Sequence, residues 1–191
     1  MLQLTEIFYS IQGEGAYTGT PAVFVRLAGC NLACDFCDTD YALAFFAGVD
    51  EIVLRVAEIG GDCPMVVLTG GEPLAQVETA ALIGALRAAG RRVHVESNGT
   101  IATELPDDVW LCVSPKERVD AAMARRANEV KVIVDGCVPT RWLDLFSDKP
   151  TILLQPEGNK PRNVALAVEF AKAHPQRFRL SLQTHKFIGI R

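Results

Sequence analysis

A chain of 191 residues, 49% of them hydrophobic, can build one domain with a substantial core but not two comfortable ones. Its formal charge of −4 offers no general attraction to nucleic acid or to anionic membranes. No apolar run approaches the ~18 residues of a membrane-spanning helix, and Met1–Glu6 lacks the basic and apolar regions of a secretion signal, so a cytoplasmic protein is expected.

The first strong strand signal is Ala22–Leu27, and the chain from Gly29 to about Val49 reads as one long loop. Amphipathic spacing then predicts a helix over Val49–Ile59, stopped by Gly60 and Gly61, before a strand at Met65–Leu68. A helix over Val77–Ala89 ends at Gly90, and strands follow at Arg92–Glu96, Val109–Val113 and Glu129–Val134. The remaining elements are a helix over Thr140–Phe146, a strand at Thr151–Leu154, a helix over Arg162–His174 and a strand at Arg177–Leu182. Several strands are almost continuously apolar, which suits a parallel sheet covered on both faces. Strands alternating with helices mean βαβ units. A full eight-fold barrel takes ~250 residues. The expected fold is therefore an α/β incomplete, TIM-like barrel of mostly parallel strands, open on one side, with a flat doubly wound sheet as the alternative. Residues 1–191 read as a single domain without repeat or linker.

The long loop carries Cys30, Cys34 and Cys37 at C-x3-C-x2-C spacing, within a cluster loop at about residues 28–40. Short bent runs of thiolates hold iron–sulfur clusters. Three ligands leave one iron open for a small molecule, as catalytic metal sites keep a position free. Structural zinc wants four ligands, and Cys63, Cys112, Cys137, His94, His174 and His185 are scattered singly. Six cysteines without a secretion signal also fit a reducing compartment better than a disulfide framework.

Nearly every predicted strand ends in a polar cluster, where α/β folds collect their reactive groups. These ends carry Arg26, Thr69-Gly70-Gly71-Glu72-Pro73, Glu96-Ser97-Asn98-Gly99, Ser114-Pro115-Lys116, Gln155-Pro156-Glu157-Gly158 and Gln183-Thr184-His185-Lys186. Any one of them alone is an ordinary turn.

The cysteine triplet together with Thr69-Gly-Gly-Glu-Pro73 resembles the radical S-adenosylmethionine (SAM) enzymes. In that superfamily three cysteines hold a 4Fe-4S cluster whose open iron takes SAM. A narrower resemblance, to 7-carboxy-7-deazaguanine synthase, runs from Glu6-Ile-Phe-Tyr-Ser-Ile-Gln-Gly-Glu-Gly15 through Arg26 and the cysteines to Cys37-Asp-Thr39. It continues in the later strand ends and covers essentially the whole chain. The resemblance implies a homodimeric enzyme that contracts the ring of 6-carboxy-5,6,7,8-tetrahydropterin and expels ammonia, on the route to queuosine and other 7-deazapurines. A 5′-deoxyadenosyl radical from SAM would take hydrogen from C6, SAM would be regenerated, and Mg2+ would assist.

The resemblance also assigns residues. Cys30, Cys34 and Cys37 would ligate the 4Fe-4S cluster, and Thr39 the Mg2+, which needs only one or two protein oxygens. Gly71, Glu72, Ser114, Pro115, Lys116, Gln155, Pro156, Glu157 and Gly158 would bind SAM, with the Glu72 carboxylate able to accept from its ammonium. Ile11, Gln12, Gly13, Glu14, Arg26, Thr69, Glu96 and Arg191 would bind the pterin. Arg26 would fork onto the carboxylate, and Glu14 and Glu96 would accept from ring N–H groups. His185 reads as structural. The electron donor would be a flavodoxin or ferredoxin. Two competing readings are an activase of glycyl-radical enzymes, which leaves Ser10–Gly15 unexplained, and a non-enzymatic iron–sulfur or zinc protein.

Overall fold

The computed structural model describes residues 1–149 and 151–191. Its strands are β1 (Leu2–Ile11), β2 (Pro21–Leu27), β3 (Phe45–Ala47), β4 (Met65–Gly70), β5 (Arg92–Ser97), β6 (Trp110–Val113), β7 (Glu129–Val134), β8 (Ile152–Pro156) and β9 (Phe178–Leu180). The helices are α1 (Val49–Gly60), α2 (Thr79–Ala88), α3 (Ala121–Arg126), α4 (Pro161–Ala173) and α5 (Thr184–Ile188). All strands join one sheet in the order β3-β1-β2-β4-β5-β6-β7-β8-β9. Pairing is parallel from β2 through β9, and β1 lies antiparallel to both β2 and β3. Among the described residues no helix is long and apolar enough to cross a membrane.

Side-chain alternation sorts the sheet into two unlike faces. Val23, Val25 and Leu27 of β2, Val66 and Leu68 of β4, Val93 and Val95 of β5, and Val130, Val132 and Val134 of β7 pack in one buried cluster. Ile52 and Val56 of α1, Leu82, Ile83 and Leu86 of α2, Met123 of α3 and Ala167 of α4 cover it. The intervening residues, Arg26, Thr69, Glu96, Ser114, Lys131 and Gln155, face a cleft on the other side. The parallel strands are thus covered by helices on one face only, and their expected second cover is replaced by a functional hollow. The β-strand starts are plugged by Ala22, Met65 and Val67 with Tyr17 and Phe24, and Tyr17 sits edge-on to His94 and Trp110 at 4.3 and 5.0 Å.

The sheet is curled but unclosed. Seven strand steps separate β1 from β9 in the sheet order, which in a flat sheet is roughly 34 Å. Yet Thr184 N, after β9, donates to Gly13 O at 2.9 Å, and Gly15 N donates to Ser181 Oγ at 3.0 Å. Gly13 lies only two residues beyond β1, so the sheet itself must bend to bring these ends together. The partial barrel is the fold, and the flat alternative is set aside.

Four predicted helices and seven predicted strands can be compared directly with the structure. The strands all appear, with ends shifted by a few residues. Helices α1, α2 and α4 also match, whereas Thr140–Phe146 forms only a single 3-10 turn at Thr140–Trp142. There Trp142 and Phe146 both reach the core, so burial is satisfied without a continuous helix. The sequence reading did not detect β1, because its register shifts between Leu4 and Glu6. Core contact passes from Leu2 and Leu4 to Ile7, which breaks the alternation that marks a strand. The elements β3, α3 and α5 are too short for periodicity to register; α3 instead begins at a side-chain cap, Asp120 Oδ1 accepting from Ala122 N at 2.7 Å.

Candidate active site

The carboxyl ends of the strands surround a cleft of about 360 Å³. Cys30, Cys34 and Cys37 all line it, and all three thiols are free. The loop that carries them is folded by its own backbone: Cys37 N donates to Cys34 O at 3.1 Å, and Leu32 N donates to Cys30 Sγ at 3.4 Å. It is then anchored to the barrel at Asn31, whose Nδ2 donates to Thr100 Oγ1 at 2.7 Å and whose Oδ1 accepts from Asn98 Nδ2 at 3.0 Å. Gly71 lets β4 end directly against this loop. A Cβ there would stand 2.1 Å from Gly29 O and 2.6 Å from the Cys30 Cβ, so only glycine fits without moving the cysteines.

Glu72 departs from its expected role. It is 0% exposed and does not line the cleft. Its Oε1 accepts from Leu74 N and Ser97 Oγ, both at 3.0 Å, and its Oε2 from Asn98 N at 2.7 Å. Burial raises its carboxyl above the usual range despite these bonds. The side chain is a strut between the ends of β4 and β5, and the motif presents Gly70 and Gly71 to the cleft instead. Pro115 is likewise buried behind the lining, whereas Ser114 and Lys116 on either side of it face the cleft. Lys116 Nζ donates to Ser114 Oγ at 2.7 Å and lies 5.5 Å from the Phe36 ring centroid. Burial lowers its ammonium to about 8.

The remaining predicted residues, Ile11, Gln12, Gly13, Glu14, Arg26, Thr39, Thr69, Glu96, Gln155, Pro156, Glu157, Gly158 and Arg191, all line the cleft. Arg26 Nε donates to Glu6 Oε1 at 2.8 Å, and its guanidinium makes no other hydrogen bond among the described residues. Arg191 packs along β1 at the edge of the cleft: its main-chain oxygen accepts from Ser10 Oγ at 2.7 Å, its guanidinium pairs with Glu6, and it lies 5.0 Å from the Phe8 ring centroid. Gly13 packs so tightly on His185 that a Cβ would be 2.3 Å from Nδ1. His185 is thus a packing surface that also borders the cleft, and burial lowers its pKa.

Lys131 went unmarked in the sequence reading, yet it is central. Its ammonium donates to Glu14 Oε2 at 2.6 Å and Glu96 Oε2 at 3.0 Å. Burial pushes the Glu14 carboxyl up, but the Lys131 charge and the hydrogen bonds from Lys131 and Gln183 outweigh it and hold the carboxyl at about 2. The available signal was a lysine in the middle of an apolar parallel strand, Glu129-Val-Lys-Val-Ile-Val134, where a charge is retained only with a partner. Gln183 and Lys186 belong to a polar strand end to which the sequence gives no role. They donate to Asp38 Oδ2 at 3.0 and 2.5 Å, latching α5 to the cluster loop.

The radical SAM superfamily model matches residues 24–122. A 7-carboxy-7-deazaguanine synthase from Bacteroides thetaiotaomicron is 43% identical to this chain, with 100% of each covered. One from Burkholderia multivorans is 40% identical, with 97% of each covered. The chain belongs to the 7-carboxy-7-deazaguanine synthase family. The crystal structure of QueE from Escherichia coli agrees in fold, with a TM-score of 0.81 at 29% identity over 96% of this chain and 94% of that one.

Membership of the radical SAM superfamily implies a 4Fe-4S cluster and SAM, and the donor set fits both. Among the described residues no three His, Cys, Asp or Glu side chains gather closely enough to share a single metal ion. A four-iron cluster asks for a wider spread, because each thiolate takes a different iron. The three cleft-lining thiols, with no fourth cysteine beside them, match a cluster that keeps one iron for a ligand. Next to them, the Gly70–Gly71 backbone and the Ser114–Lys116 pair offer polar groups for an amino acid moiety such as that of SAM.

Proposed function

We propose that this protein is a radical SAM carbon–nitrogen lyase, acting as one domain, that converts 6-carboxy-5,6,7,8-tetrahydropterin to 7-carboxy-7-deazaguanine with loss of ammonia. The observation that carries the reading is the common cleft, in which three thiols, a guanidinium and paired carboxylates surround one space. When bound, the cluster and SAM supply the one-electron chemistry that removes a hydrogen atom from the substrate carbon.

The protein's own groups bind and orient. Arg26 offers its free Nη edge to the substrate carboxylate, while Glu6 holds the guanidinium through Nε. Glu14 and Glu96 accept from N–H groups of the ring, and Gln12 lies between them. Ile11, Gly13, Thr69 and Arg191 complete the pterin side. Ser114, Lys116 and the Gln155–Gly158 turn would hold SAM, and the Gly71 backbone would meet its amino group. Thr39, which lines the cleft directly after the cysteine loop, would offer a hydroxyl to Mg2+. Stacked Phe8 and Phe24, 5.0 Å apart, give the ring an apolar floor and limit water. The chain functions as a homodimer reduced by a flavodoxin or ferredoxin in the cytoplasm, and its product feeds queuosine and related 7-deazapurines.

The test is an anaerobic reaction of the reconstituted protein with SAM, dithionite, Mg2+ and the tetrahydropterin, followed by mass spectrometry. The expected result is 7-carboxy-7-deazaguanine without net loss of SAM. Cleavage of SAM with no such product would overturn the substrate assignment.

A further inference from the structure

Lys131 projects from β7 to the cleft side, and its side chain is only 6% exposed. By bonding Glu14 and Glu96 it joins the loop after β1 to the end of β5, elements that are not neighbours in the sheet. The second oxygen of each carboxylate is met by an amide: Gln183 Nε2 on Glu14 Oε1 at 2.9 Å, and Gln12 Nε2 on Glu96 Oε1 at 3.5 Å. The Gln12 amide cannot turn over freely, since its Oε1 accepts from Glu14 N at 3.1 Å. Each carboxylate oxygen has about two acceptor directions. Both groups therefore keep capacity for a ligand in the cleft they line.

Stability alone does not account for this arrangement. An apolar side chain of similar volume usually serves a buried site as well as an ion pair or better, and the neighbouring positions Val130 and Val132 are apolar. One ammonium between two carboxylates leaves a net negative charge aimed at whatever binds there.

We propose that Lys131 is a positioning residue that presents Glu14 and Glu96 as two ionised acceptors for adjacent N–H donors of the heterocycle, thereby selecting a 2-amino-4-oxopyrimidine edge over a 2,4-dioxo edge. The inference rests on the pterin reading above. An amino group and its neighbouring ring N–H both donate. Replacing the amino group by an oxo group sets a carbonyl lone pair against a carboxylate that has no proton to offer, a repulsive element that discriminates. Sites built to bond a substrate N–H reject analogues lacking it far more sharply than apolar pockets reject a change in size. Without the ammonium the two carboxylates repel and one takes up a proton. A protonated carboxyl can donate to the oxo group, so discrimination falls.

The experiment is anaerobic titration calorimetry of the cluster-loaded, SAM-bound protein with 6-carboxypterin and 6-carboxylumazine, which carry a 2-amino and a 2-oxo group respectively. The parent protein is expected to prefer the pterin by at least ~100-fold. Lys131→Met should reduce that preference below ~10-fold with iron content and SAM affinity unchanged, and Lys131→Arg should retain most of it. A Lys131→Met protein that keeps the preference overturns the inference, as does one that loses SAM and both pterins together. Should Lys131→Met not fold, Glu14→Gln carries the test: the preference must fall there too, and its retention overturns the inference. A parent protein that binds neither compound overturns the pterin reading itself and the inference with it.

Discussion

Replacing Glu72 with alanine removes the acceptor for three donors, Leu74 N, Ser97 Oγ and Asn98 N, at 2.7–3.0 Å in a fully buried site. Each buried donor left without a partner costs about 1–3 kcal/mol. The serine hydroxyl can rotate to another acceptor, but the two backbone N–H groups cannot, so the expected loss is about 2–6 kcal/mol. That is a large share of the ~5–15 kcal/mol by which a domain is stable. The damage also reaches the cysteines. Asn98, freed from Glu72, is the residue that holds Asn31, next to Cys30, so iron retention should fall with stability. Glu72→Gln keeps one acceptor oxygen and should lose about half as much. The assay is anaerobic urea unfolding of the iron-free protein, paired with iron content after reconstitution and SAM affinity. A Glu72→Ala protein within ~1 kcal/mol of its parent, fully loaded with iron but weak for SAM, would refute the strut and restore the sequence-based role of Glu72 as an ammonium acceptor.

Three further outcomes are expected. Cys34→Ala should lose SAM cleavage altogether, and retained cleavage would mean that the cluster is held by other residues. Arg26→Ala should weaken pterin binding by about 2–5 kcal/mol while leaving SAM affinity near its starting value; equal losses for both ligands would make the Glu6–Arg26 pair structural. The ionised Glu14 should stabilise the fold fully above the ordinary glutamate range near ~4.3. Because its folded pKa is depressed to about 2, that contribution fades as pH falls toward 2. The stability difference between the parent and Glu14→Gln should therefore be flat from pH 7 to 5 and shrink below, at up to ~1.4 kcal/mol per pH unit. A flat difference down to pH 3.5 contradicts the Lys131–Glu14 pairing.

The candidate site was legible where chemistry demands particular residue types at fixed spacing. Cys30, Cys34, Cys37 and the polar ends of the parallel strands could be found from the chain alone, because βαβ folding brings those ends to one rim. Lys131 could not be found in this way. A lone lysine in an apolar strand signals a partner but not which one, and its partners lie 117 and 35 residues away in sequence. Glu72 shows the converse: its motif places Gly70 and Gly71 at the cleft, yet burial and three inward hydrogen bonds turn the Glu72 side chain away from it. The missed strand β1 has the same origin, since its core-facing side changes at the shift between Leu4 and Glu6.

By itself the sequence determined the alternation of strands and helices, the incomplete barrel implied by its length, the three-thiol loop and the family resemblance. These are local patterns, governed by spacing along the chain. Tertiary structure alone decided which face of the sheet stays open, that Arg191 and α5 reach the lining of the cleft, and that Lys131 bonds both Glu14 and Glu96. Each of those depends on the curl that joins the end of β1 to the end of β9. Curvature is a property of the whole sheet, carried by no single stretch of residues.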